Sequence, residues 1–136
     1  MINNLIELLA KEEIALKELL AVLDEQHKNI VKKDVFALEE IVEKIKDANI
    51  EVAKLEVERR RIIGNNSMKD FVMNSKSEEL DTLYRSIKRV LSEITLQKDT
   101  NELLIKQGLG YTSKILNLIN PKRSTVTYSS YGTIKR

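Results

Sequence analysis

The chain has no cysteine and no tryptophan, one proline (Pro121), four glycines and one histidine (His27). Without cysteine there is no disulfide, no thiolate nucleophile and no cysteine-ligated zinc. With a lone histidine, a Ser-His triad or a histidine-rich metal site would depend on one side chain. The glycines are scattered, so no Gly-rich phosphate loop is present. No apolar run reaches the roughly 18 residues of a membrane span, which predicts no membrane insertion. The N-terminal stretch MINNLIELLAKEEIALKELL has no basic leading segment and acquires charge early, so it does not read as a signal peptide. Together these absences predict a cytoplasmic protein with no catalytic site, no metal site and no cofactor.

What is present favours helix. Leu, Ile, Glu and Lys dominate, and helix breakers are few. The 136 residues suit one domain. Lys+Arg is 23 against Asp+Glu 21, a net charge of +2, which argues against a dedicated nucleic-acid binder. The charge is unevenly placed: Lys122, Arg123, Lys135 and Arg136 follow Asn120 with no acidic residue among them. The expected organisation is a helical domain over 1–119 and a flexible basic tail over 120–136.

Apolar residues at three-four spacing predict three long helices. In the first, from about Ile2 to Lys32, the stripe is Ile2, Leu5, Leu9, Leu16, Leu19, Leu23 and Ile30, widened by Ile6 and Leu20. Lys32-Lys33 suits a helix C-terminus and Asp34 an N-cap. The second stripe runs through Leu38, Ile41, Ile45, Ala48, Val52, Leu55, Arg59 and Ile62, and Gly64 is placed to end that helix. The short connection predicts an antiparallel hairpin. Ser67 with Asp70 suits the start of a short helix, whose Phe71, Val72 and Met73 would plug the hairpin end. Ser75 or Ser77 restarts the chain. The third long helix is predicted over about Glu78 to Ile119, roughly 60 Å, with a stripe of Leu80, Leu83, Ile87, Val90, Leu91, Ile94, Gln97 or Lys98, Asn101, Leu104 and Ile105. The fold class is therefore all-α: an antiparallel bundle of three long helices with a short helix between the second and third.

Several residues invite a chemical role and have a plainer one. His27 is spaced to lie beside the hairpin seam as a packing residue. Arg59-Arg60-Arg61 ends the second helix, where cations suit the helix dipole, and consecutive helical side chains diverge by about 100°. Adjacent acidic pairs such as Glu12-Glu13, Glu39-Glu40 and Glu78-Glu79 do not share a helix face. Glu12, Gln26, Arg59, Gln97, Lys98 and Asn101 interrupt apolar stripes, and pairing across the bundle to fix register is the favoured account.

The end of the third helix is the exception. Leu103, Leu104, Ile105, Leu109, Tyr111, Ile115, Leu116, Leu118 and Ile119 cover more of the circumference than one core-facing stripe. Such a surplus marks a partner site, whose natural ligand is another amphipathic helix. A fold-back of this end or a homodimer would cover it equally. Tyr128 and Tyr131, in the basic tail, suit weak docking.

The ordered combination resembles the FlgN family. The hairpin KEEIALKELLAVLDEQHKNIVKKDVFALEEIVEKI and the run Leu55-Glu56-Val57-Glu58-Arg59-Arg60-Arg61 have its layout. Asn101-Glu102-Leu103-Leu104-Ile105-Lys106-Gln107 is similar to its Asn-x-Leu-Leu-x-x-Gln segment, followed by Ile115-Leu116-Asn117-Leu118 and Pro121. Tyr128-Ser129-Ser130-Tyr131-Gly132 resembles its Tyr-x-x-x-Gly ending, with Ser130 where the family usually has an acidic residue. The resemblance implies a chaperone of flagellar type III export. Such a chaperone binds the C-terminal helices of the hook–filament junction proteins (hook-associated proteins) and delivers them to the cytoplasmic domain of the export gate. It implies a client site at Leu104, Ile105, Leu109, Tyr111, Ile115, Leu116, Leu118 and Ile119. Gate docking would fall to Tyr128, with Tyr131 the other candidate. The alternative from pattern alone is a structural coiled-coil homo-oligomer or adaptor.

Overall fold

The computed structural model describes residues 2–110, and its elements are all helices: α1 (Ile2–Val31), α2 (Val35–Ile63), α3 (Met68–Ser75) and α4 (Glu78–Leu109). Their ends follow local chemistry. Lys33 turns the chain with φ 58°, and the Asp34 carboxylate accepts the Ala37 N–H at 3.0 Å, satisfying an orphan donor of the first turn of α2. Gly64 closes α2 at φ 69°, a conformation that suits glycine, and its N–H donates to the Arg60 carbonyl at 2.8 Å. Ser67 caps α3 by accepting from Asp70 N, and Ser77 caps α4 by accepting from Leu80 N. The Ser75 hydroxyl also contributes, donating to Val72 O and accepting from Ser77 N.

The last helix departs from expectation. Its periodicity predicts helix to Ile119, but α4 stops at Leu109. Gly110 takes φ 98° and ψ −169°, outside the helical region, while its N–H still donates to Lys106 O at 3.2 Å. With 32 residues, α4 is about 48 Å long, close to the 45 Å of α1 with 30. The overhang that a 60 Å helix required is absent from the described residues. The boundary expected at 119–120 lies outside them.

Helix α1 lies between the other two long helices. Its backbone comes close to both α2 and α4, whereas the backbones of α2 and α4 scarcely approach each other. Cross-helix contacts give the directions. Glu12 meets Arg59 while Glu25 meets Lys44, so α1 and α2 are antiparallel. Glu13 accepts from the Ser86 hydroxyl while Leu23 and Gln26 accept from Asn101, so α4 runs alongside α1 in the same direction.

A central helix needs more than one apolar face. The main core draws on all four helices, with Leu5, Leu9 and Leu16 of α1, Ile41 of α2, Val72 of α3 and Leu80 of α4 all buried. A second face of α1, through Leu8 and Ala15, packs with Leu55 of α2. The single stripe read from the sequence did not include Leu8 and Ala15. Val72 does plug the end beside half-buried Phe71, but Met73 is 65% exposed, because adjacent helical residues diverge. Leu91, expected in the α4 stripe, is 45% exposed for the same reason: it adjoins buried Val90.

Candidate functional site

The end of the molecule where α1 finishes, α2 begins and α4 finishes differs from the rest. Along the α1–α4 seam, among the described residues, the apolar row is interrupted by one fully buried polar layer. Asn101 is 1% exposed and Gln26 2% exposed. Asn101 Nδ2 donates to the Leu23 carbonyl at 2.8 Å and to Gln26 Oε1 at 3.0 Å. Its Oδ1 accepts from Gln97 Nε2 at 2.9 Å and lies 3.3 Å from His27 Nδ1. The amide therefore meets partners at both its oxygen and its nitrogen in a place water cannot serve, which is the condition for burying it. His27 is half-buried and faces α4, not the α1–α2 seam expected for it. Lys98 is exposed and stays outside the layer.

Beyond this layer sits a small separate cluster. Ile30, Leu38 and Ile105, one from each long helix, are buried together, with Val42, Leu104 and Leu109 half-buried against them. Among the expected client residues, Ile105 is thus wholly inside at 0% exposure, as suits its place in the α4 stripe. Leu104 and Leu109 lie on the margin, and Leu103 is 54% exposed. Val31 (68% exposed) and Phe36 (80%) add bare apolar surface at the α1–α2 turn of the same end. Tyr111, Ile115, Leu116, Leu118, Ile119, Tyr128 and Tyr131 lie outside the described residues. Ile30 and Leu38 are stripe residues of the sequence reading; Val42 was not singled out from sequence, although the i, i+4 pair Leu38/Val42 is a visible signal.

A second polar pair marks the other end of the hairpin. Arg59 Nε is 3.3 Å from Glu12 Oε1, close enough for ion pairing but without hydrogen-bond alignment. Burial pushes the Glu12 carboxyl from its ordinary 4.5 up to about 7; Arg59 opposes the rise and Glu56 adds to it. A carboxyl raised on folding binds its proton more tightly in the folded chain, so this contribution is complete below pH 4.5 and is lost as pH rises towards 7. Glu12→Gln is expected to stabilise the protein by about 1–2 kcal/mol at pH 8 and by almost nothing at pH 4.5, read from urea unfolding midpoints at the two values. Arg59 keeps Glu56 as a partner at 3.5 Å in that variant.

Neighbouring features do not assemble chemistry. Arg59 turns in to Glu12, Arg60 bonds Glu56 at 2.9 Å and Arg61 is exposed, so the three arginines form no clamp. Among the described residues no group of acidic and histidine side chains could hold a metal ion, and no helix is long and apolar enough to cross a membrane. An open groove of about 600 Å³ runs between α1 and α2, floored by Ala15 and Ala48 and rimmed by Lys11, Glu18, Lys44 and Glu51. It lies midway along the hairpin, away from the α4 end.

A model of the family described as FlgN protein matches residues 1–136. No curated protein and no solved structure matches the chain.

Proposed function

The chain belongs to the FlgN family of flagellar export chaperones, and on that premise we propose that its clients are the hook–filament junction proteins, whose C-terminal helices it holds in the cytoplasm and delivers to the export gate. The observation that carries this reading is the apolar end of α4. Leu103, Leu104 and Leu109 are left wholly or partly uncovered there, and the sequence continues directly into Tyr111, Ile115, Leu116, Leu118 and Ile119. An amphipathic client helix would lay its apolar face against this row by i, i+3, i+4, i+7 anchors. Burial of apolar surface, not chemistry on the client, supplies the affinity.

The test is a calorimetric titration of the full chain with the C-terminal helical segment of a junction protein. A saturable one-to-one complex with a negative heat-capacity change is the expected result. No heat at micromolar concentrations would remove the reading.

Gate delivery rests on the tail. Tyr128 is the proposed docking anchor, with Tyr131 second, because an aromatic ring with a hydrogen-bonding tip makes a compact contact. Tyr128→Ala is expected to weaken binding to the gate's cytoplasmic domain by about tenfold and to leave client affinity unchanged. Biosensor measurements with each partner check both halves.

A further inference from the structure

The structure carries a conflict that bears on how a client is bound. Ile105 belongs to the apolar row proposed to meet the client, yet it is shut between α1 and α2. The way this end is built resolves it. Four residues before Ile105 the α1–α4 seam changes from apolar to polar at Asn101, so Ile105 is cut off from Ile94 and the main core of α4. Past that layer the end of α4 is held, among the described residues, by a cluster with only three buried members. On α2 the same two clusters take Leu38 and Ile41, but these follow one another on the buried face with no buried polar residue between them. The hairpin therefore stays joined through this level while α4 has a natural parting line.

The segment past the line is suited to move as a piece. Lys106 Nζ pairs with Glu102 Oε1 at 2.8 Å, a weak i, i+4 contact inside the segment, too small to protect its amides once it leaves the hairpin. The elements recruited for ligand-driven opening come from the least stable end of a fold.

We infer that the last two turns of α4, residues 102–109, undock from the α1–α2 hairpin at the Asn101 layer and admit an amphipathic, aliphatic client helix between the two faces so exposed: Ile30, Leu38 and Val42 on the hairpin, and Ile105 and Leu109 on α4. Both walls carry aliphatic side chains at i, i+4 spacing, Leu38/Val42 and Ile105/Leu109, which are the ridges that another helix packs between. The identity of the occupant rests on the chaperone reading; the undocking does not.

The absence of cysteine from the chain makes a direct test available. In Ile30→Cys/Ile105→Cys, the two sulfurs would be joined by oxidation or a short bismaleimide, pinning α4 to α1. The pinned protein is expected to bind the C-terminal helical segment of a junction protein at least about thirtyfold more weakly than the unjoined variant, with reduction of the disulfide restoring affinity. Equal affinity in the pinned and unjoined states would overturn the inference and leave the chaperone reading intact. If neither the variant nor the parent binds that segment, the chaperone reading is what fails, and amide hydrogen exchange on the parent chain decides the undocking. A step in exchange rate at Asn101, with amides 103–109 about a hundredfold faster than 87–94, supports it. A rate that rises only gradually over the final turn is ordinary fraying and overturns it. Where the cysteine pair does not fold, Gln26→Leu/Asn101→Leu serves instead. An apolar layer should fuse the two clusters and slow exchange at 103–109, and an unchanged pattern would count against the hinge.

Discussion

A chain ended after Gly110 is expected to bind a junction-protein helix at least about a hundredfold more weakly than the full chain, with its urea midpoint nearly unchanged. The two halves of this expectation come from different residues. Stability is assigned to the described helices, which bury the main core between them, and Gly110 already closes α4 with its own backbone bond to Lys106. Affinity is assigned to Tyr111, Ile115, Leu116, Leu118 and Ile119, which the truncation removes. Fully burying one aliphatic side chain contributes about 1.5–3 kcal/mol, and association and ordering offset part of that. Two well-buried anchors therefore account for the roughly 2.7 kcal/mol of a hundredfold change. Titration of both chains with the same peptide, beside an unfolding curve for each, checks the expectation. A truncated chain that unfolds early would move the segment into the fold itself.

Asn101→Ala is expected to destabilise the protein by about 3 kcal/mol, the largest loss from any single polar residue in the described chain. Asn101 has partners at both ends of its amide in a nearly dry site: the Leu23 carbonyl, Gln26, Gln97 and His27. Truncation removes all of these bonds at once, takes one hydrogen bond from buried Gln26 and one from half-buried Gln97, and opens a cavity where the amide stood. Changing both layer residues, in Gln26→Leu/Asn101→Leu, should recover about 2 kcal/mol, because matched apolar replacements leave little buried polarity behind. His27→Ala should cost under about 1 kcal/mol, since the ring is half-buried and its contact is long at 3.3 Å. Urea unfolding of the three variants orders them. The same polar pair explains why helices this uniform in composition settle in one register: sliding α4 along α1 would set Asn101 against Leu19 or Ile30.

Much of this fold was legible because its local signals agree with each other. Asp34, Ser67 and Ser77 cap the helices they precede, and Gly64 ends α2 at a positive φ, though with ψ −133° and not in the left-handed helical region. Stripe residues such as Leu5, Leu9, Leu38, Ile41, Leu80 and Ile105 are the most deeply buried apolar side chains. The expectation that polar stripe residues pair across helices held for Glu12 with Arg59 and for Gln26 with Asn101; Gln97 bonds Asn101 within α4, and Lys98 is exposed.

What was not legible depends on tertiary arrangement. Periodicity assigns each helix one buried face, so it missed the second face of α1 at Leu8 and Ala15, which exists only because α1 has a neighbour on each side. The end of α4 was only half legible. The apolar pattern changes after Gly108, and Gly108 and Gly110 weaken a helix, yet the apolar residues running on to Ile119 extended the expected helix past Gly110, whose backbone at φ 98° ends it. The burial of Ile105 followed from the meeting of three helix ends, which no window along one helix contains.

The most direct test is a map of backbone amide chemical shifts on the full chain, free and saturated with the C-terminal helix of a junction protein. The largest changes are expected at residues 102–119, with a second set at Ile30, Leu38 and Val42, while amides around Leu55 stay still. Changes confined to the α1–α2 groove from Lys11 to Leu55, with residues 102–119 unmoved, would contradict the account.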